Sequence, residues 1–150
     1  GGFETVLACD LVVAAEDAKF GIPEVKRGLV AAGGGLLRLQ HRIPRNIAME
    51  FALTGDFVAA PRMAELGLVN EVTPSGGALE GAKALAGRVA ANAPMSVRVS
   101  KQVIAESDDW SADEMWAEQD ERTGPVFTSH DAMEGAAAFA EKRRPEWKGR

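Results

Sequence analysis

The sequence holds one cysteine, Cys9, among 150 residues. A single thiol excludes an internal disulfide framework and a cysteine-rich zinc site, and it fits a reducing compartment. Positive charge is also scarce: 17 Lys and Arg stand against 22 Asp and Glu, for a net charge of −5. Neutralising phosphates requires a basic face, so no nucleic-acid partner is expected. No apolar run approaches the ~20 residues of a membrane span and no basic-then-apolar leader opens the chain, so no membrane partner is expected and the expected location is cytoplasmic. The sequence has no internal repeat, no P-loop lysine and no G-x-S-x-G elbow, and neither His41 nor His130 has metal-ligand spacing. No metal site is therefore expected, and both histidines read as surface or capping residues. What remains is an ordinary globular mixture, 46% hydrophobic and 26% charged. A domain of this length can bury roughly 70% of its unfolded surface.

The first third carries strand signals and the remainder is helical. Gly1-Gly2-Phe3-Glu4 reads as a turn feeding a short helix through Ala8, with Cys9 as buried, inert packing. Leu11–Ala15 and Ala18–Ile22 read as short strands, the second stopped by Pro23 just before Glu24. Gly33-Gly34-Gly35 reads as a close-packing turn leading into Leu36-Leu37-Arg38-Leu39. A helix from Arg45 ends at Gly55, another has Pro61 at its start and Gly67 past its end, and Leu68–Val72 reads as a strand. Amphipathic stripes then run from Ala78 to Ala90, through Val99, Val103 and Ile104 after Pro94, and through Ala132, Met133, Ala136, Phe139 and Ala140. Ser111-Ala112-Asp113-Glu114 matches a capping box, which predicts a helix start there.

The candidate chemistry lies in two carboxylates, Glu4 and Glu24, each set among apolar residues and glycines. Two carboxyls in an apolar pocket can divide into a base and an acid. The plainer reading is a pair of unrelated glutamates, each near a helix start as a dipole partner. The backbone N–H groups at Gly1-Gly2 can hold a developing oxyanion or simply form a turn. The chain opens with its glycine turn already under way, which predicts that it is the C-terminal part of a longer protein.

Several of these stretches resemble one family in order. Gly1-Gly2-Phe3-Glu4 through Ala8-Cys9-Asp10 resembles the active-site helix of the enoyl-CoA hydratase (crotonase) family. Phe20-Gly21-Ile22-Pro23-Glu24, with Gly28-Leu29 and the triple glycine, resembles its second signature. The resemblance continues through Leu53-Thr54-Gly55, Gly67–Val72, Glu134-Gly135 and Phe139–Arg143.

The resemblance implies an α/β fold, the C-terminal portion of a ββα spiral, followed by a helical trimerisation region. On it, residues 1–75 form spiral core with the glutamates, and residues 76–150 form helices for oligomerisation and coenzyme A contact. It implies an enoyl-CoA hydratase acting on an acyl-CoA thioester, needing no cofactor beyond the coenzyme A of its substrate, and assembled as a homotrimer or hexamer. Glu4 would activate water, Glu24 would protonate the α-carbon, and Gly1 would supply an oxyanion N–H. Gly2 and Lys142 would contact substrate, Lys142 near the coenzyme A phosphates. Isomerisation, dehydration and a catalytically dead assembly subunit are the alternatives, and Glu24–Leu29 also resembles bacterial members acting on bulkier or carnitine-like acyl groups. Thr5 departs from the apolar residue that usually follows the first glutamate, which predicts looser packing there. Because the family's N-terminal half holds the other oxyanion donor, the 150-residue chain alone is expected to be inactive.

Overall fold

Glycine and proline set most of the helix ends in the first part of the chain. The structure, a computed structural model, describes residues 1–150 and is mixed α/β. By contact it falls into two units, Gly1–Leu85 and Ala86–Arg150. The sequence places a division after residue 75; the first unit reaches further because the start of the next helix packs back on it. A Cβ on Gly81 would meet Thr73 Cγ2 at 2.7 Å and Val13 Cγ1 at 3.0 Å.

In the first unit, α1 spans Gly2–Leu7, β1 Val13–Ala15 and β2 Lys19–Phe20. Pro23 then heads a 3-10 turn, Pro23–Arg27. Three helices follow, α2 (Gly35–Leu39), α3 (Arg45–Thr54) and α4 (Ala60–Glu65), with β3 (Val58–Ala59) between the last two and β4 (Glu71–Thr73) after them. β1 pairs in parallel with β4, Ala14 opposite Val72, and β2 pairs antiparallel with β3, Phe20 opposite Val58. Asn70 extends the parallel ladder, since its amide N–H donates to Val12 O and its Oδ1 accepts the Val12 N–H, both at 2.8 Å. Leu39, Met63 and Leu68 are the most deeply buried large side chains of this unit. Gly55 ends α3 in the left-handed region at φ 65°, as its position after Thr54 predicts.

Three readings of this unit are corrected. The strand expected over Leu68–Val72 begins only at Glu71, because the N–H groups of Leu68 and Val69 both go to Met63 O at the end of α4. Glu24 lies in the 3-10 turn rather than at a strand end. Cys9 is exposed, because α1 stops at Leu7 and leaves the thiol beyond the helix, donating to Thr5 O at 3.4 Å.

The helix α5 (Ala78–Ala90) crosses the division, and the second unit adds α6 (Pro94–Glu106), α7 (Met115–Phe127) and α8 (His130–Glu141). The capping box is corrected: the Ser111 hydroxyl donates to Glu114 Oε2 at 2.6 Å instead of accepting a backbone N–H, and α7 starts at Met115, three residues later than a Ser111 cap predicts. The stripe on α8 is corrected too. Its buried apolar residue is Ala138, whereas Phe139 is 88% exposed. Arg122 joins α7 to the end of α6, donating to Glu106 and Glu118 and lying 4.7 Å over the Trp110 ring.

The last residues fold back along α8. Asp131 accepts the N–H groups of Lys148 (2.7 Å) and Gly149 (2.8 Å), Glu134 accepts Glu146 N–H (2.7 Å), and the Trp147 indole donates to Ala91 O (2.8 Å). The Arg143 guanidinium and then the Glu146 N–H hold the Glu134 carboxyl at about 2, below its usual 4.5. The backbone N–H groups of Lys148 and Gly149, with His130 beside them, likewise lower Asp131. A depressed carboxyl stabilises this strap fully above its ordinary value and ceases to as pH falls through the depressed one. With Trp110 and Trp116 replaced by Phe, Trp147 emission is therefore expected to hold steady above pH 4.5 and to change between 4.5 and about 2 as the strap lets go. In Glu134→Gln the change attributable to this carboxyl disappears. Emission that is constant down to pH 2 would contradict this account.

Candidate active site

Gly1 caps α1 by its carbonyl, which accepts both the Thr5 N–H (3.0 Å) and the Thr5 hydroxyl (3.2 Å). Thr5 is exposed and spends its hydroxyl on this turn, so no core packing is lost there, contrary to the expectation from its departure. One turn on, the Glu4 side chain is only 12% exposed. Its Oε1 accepts the Gly35 N–H at 3.0 Å, and its Oε2 lies 3.7 Å from the Gly1 nitrogen. That N–H belongs to the first turn of α2, where helical donors have no partner of their own. The neighbouring glycines explain how the carboxylate fits. A Cβ on Gly33 would stand 2.6 Å from Glu4 Oε2, and one on Gly35 3.1 Å from Oε1. The triple glycine is thus a close-packing turn, as the sequence suggests, and what packs into it is the Glu4 carboxylate.

At the other end of α1, Arg42 donates to Cys9 O (2.8 Å) and Leu7 O (3.5 Å), setting positive charge on the negative end of the helix. Gly1, Glu4, Thr5, Ala8, Gly33 and Arg38 line an open cleft of about 430 Å³.

Glu24 sits on a different element. Its 3-10 turn begins with Pro23, ends with Gly28 in the left-handed region (φ 68°), and packs on α3. The Glu24 carbonyl accepts the Leu29 N–H at 3.1 Å. Its Oε2 is buried with no hydrogen-bond partner. A buried carboxyl oxygen without a donor is costly in a native structure and calls for a partner.

Gly1 and Glu4 therefore come together in one cleft, which neither Gly2 nor Glu24 lines. Aromatic packing ties the two glutamate-bearing segments to a shared core. Phe3, next to Glu4, meets Phe20 edge-on at 5.2 Å between centroids and Phe51 of α3 at 6.1 Å. Phe20 ends the strand that leads to Glu24. Lys142 belongs to the second unit, where it ends α8 in the left-handed region (φ 55°) with its N–H on Phe139 O. The sequence reading missed Gly35 as the partner of Glu4. Its only local signal is the run of three glycines.

No group of three or more His, Cys, Asp or Glu side chains converges on a point that could hold a metal ion. No helix is long and apolar enough to cross a membrane. The Glu4 carboxylate, held through one oxygen in this cleft, is a group that can do proton chemistry.

Comparison with known proteins agrees along the whole chain. The profile of the enoyl-CoA hydratase/isomerase family matches residues 1–150. The crystal structure of an enoyl-CoA hydratase from Mycobacterium tuberculosis H37Rv superposes with a TM-score of 0.97 at 61% identity, covering 100% of this chain and 60% of that one. An enoyl-CoA hydratase from Mycobacterium marinum gives 0.98 at 57% identity, with the same coverage. The carnitinyl-CoA dehydratase of Proteus mirabilis is 37% identical over 156 residues, covering 100% of this chain and 59% of the relative. The chain thus spans about three fifths of the length of the relatives it matches.

Proposed function

The chain belongs to the enoyl-CoA hydratase/isomerase family and shares its crotonase fold, and from that premise we propose that it is the glutamate-bearing part of an enoyl-CoA hydratase. The observation that carries this reading is the Glu4 carboxylate, held by the Gly35 N–H in a glycine-cleared seat beside Gly1.

In the proposed reaction Glu4 takes a proton from water as the water oxygen bonds to the β-carbon of an enoyl thioester. The π electrons of the double bond move towards the thioester carbonyl, whose oxygen becomes negative. The Gly1 N–H is one donor to that oxygen, and such a donor contributes about 10²–10³ in rate. Glu24 then gives a proton to the α-carbon, and both carboxyls are restored by proton exchange with solvent. The unpartnered Glu24 Oε2 suits a group that meets its partner only in the complex. Gly2 leaves room for the acyl-CoA to approach, and Lys142 is the proposed contact for the coenzyme A phosphates. No cofactor is required beyond the coenzyme A of the substrate. Exposed apolar residues on the helices, such as Phe127 and Phe139, suit assembly as a trimer or hexamer.

A dehydratase is the second reading, favoured by the relatives named for that reaction. It runs the same steps backwards from a 3-hydroxyacyl thioester. The test takes a protein of the relatives' full length that contains residues 1–150, and the 150-residue chain alone. Loss of crotonyl-CoA absorbance is followed, with products analysed by NMR in deuterated water. The full-length protein is expected to add water across the double bond, while the 150-residue chain, which spans about three fifths of the relatives' length, is expected to show little or no turnover. Double-bond migration without water addition would favour an isomerase. Assembly without acyl-CoA binding would mark a scaffold.

A further inference from the structure

We propose that Gly55, far from Glu4 in sequence and outside its cleft, is a positioning residue for Glu24, its bare α-carbon serving as the seat of the turn that carries the acid. This rests on the reading of Glu24 as the α-carbon proton donor.

Gly55 ends α3 at φ 65°, a conformation that side chains rarely adopt, but its role extends beyond the turn. A Cβ placed there would stand 3.0 Å from Val25 Cγ2, 3.2 Å from Lys26 Cγ and 3.2 Å from the Pro23 α-carbon. These three residues bracket Glu24 on both sides. The closest backbone atom is Pro23 Cα, which cannot swing aside as a side-chain tip can, so the turn itself must give by a few tenths of an ångström. A second link crosses the same junction, where the Lys26 ammonium pairs with the carboxylate of Asp56, the residue after Gly55. That pair is half exposed on both sides, so it orients the turn more than it holds it. The seat itself is steric, and it fixes where the unpartnered Glu24 oxygen stands.

Gly67 provides an internal control. It ends α4 at φ 86°, the same strained region, yet a Cβ there meets nothing within 4 Å. Gly55→Ala and Gly67→Ala thus carry the same kind of backbone strain, and only the first displaces the Glu24 turn.

The experiment compares both variants with Glu24→Gln in the full-length protein, measuring kcat, KM for crotonyl-CoA and Tm. Gly55→Ala is expected to lower kcat about 3- to 10-fold, the scale of a catalytic group shifted by a few tenths of an ångström, with KM within about 2-fold. Gly67→Ala is expected to lower Tm without changing kcat. Gly55→Asn separates strain from contact, because Asn tolerates the left-handed region yet still carries a Cβ. It is expected to recover Tm relative to Gly55→Ala while kcat stays low. If Gly55→Ala folds and keeps the kcat of Gly67→Ala, the positioning role is refuted; if it fails to fold, a Gly55→Asn protein with unaltered kcat refutes it. Should Glu24→Gln itself keep full turnover, the underlying assignment of the acid fails instead.

Discussion

Glutamine in place of Glu4 is expected to cut hydration turnover by about 10²–10⁴-fold, the range lost with a positioned general base. The substitution isolates chemistry from shape. Glutamine has the same length, and its amide oxygen can still accept the Gly35 N–H that Glu4 Oε1 accepts at 3.0 Å. The glycine seat is equally able to hold it, because Gly33 and Gly35 offer no Cβ to either group. What is lost is the ability to take a proton from water. Binding of a saturated acyl-CoA, which undergoes no reaction, should stay within about 2-fold, so the loss belongs to kcat and not to KM. Wild-type turnover in this variant would remove Glu4 from the role of base.

Glu24→Gln is expected to fall by a similar factor, about 10²–10⁴ in kcat, for a different reason. The buried Oε2 of Glu24 has no partner, so exchanging the carboxyl for an amide breaks no side-chain hydrogen bond at that atom. Stability should change little, and Tm provides the check. A carboxamide has no proton to hand over at ordinary pH, so delivery to the α-carbon stops. In deuterated water, the wild-type product should carry deuterium at the α-carbon, and the residual product of Glu24→Gln should form at the rate of unassisted protonation. If the variant turns over normally, α-protonation comes from elsewhere. If both single variants lose nearly all activity, the double variant should lose little more, since two groups serving one reaction act as a unit.

Local signals were legible in the sequence. Gly55 and Gly67 are readable as helix ends because a left-handed residue is a local demand that glycine meets. The start of α6 at Pro94 and the stripe of α5 follow from the same short-range rules. The fold class was readable through the family resemblance. What escaped depends on partners distant along the chain. Nothing around Glu4 announces that its carboxylate rests on Gly33 and Gly35, and nothing around Gly55 announces the turn lying on it. Leu68 and Val69 are apolar and buried, which a strand and a packed loop satisfy equally well; the claim of Met63 O on their N–H groups decides for the loop. Ser111 and Glu114 have capping-box spacing, yet a hydroxyl can give its proton to the carboxylate as readily as accept one from the backbone. Cys9 missed the core by falling just beyond the end of a six-residue helix.

The ladders of this fold are two and three residues long. Strand edges of that length present too few unpaired backbone groups to template runaway cross-β growth. Self-association would then be governed by side-chain burial on helices, and its strength should track salt and temperature as apolar burial does rather than seed and elongate like a fibril.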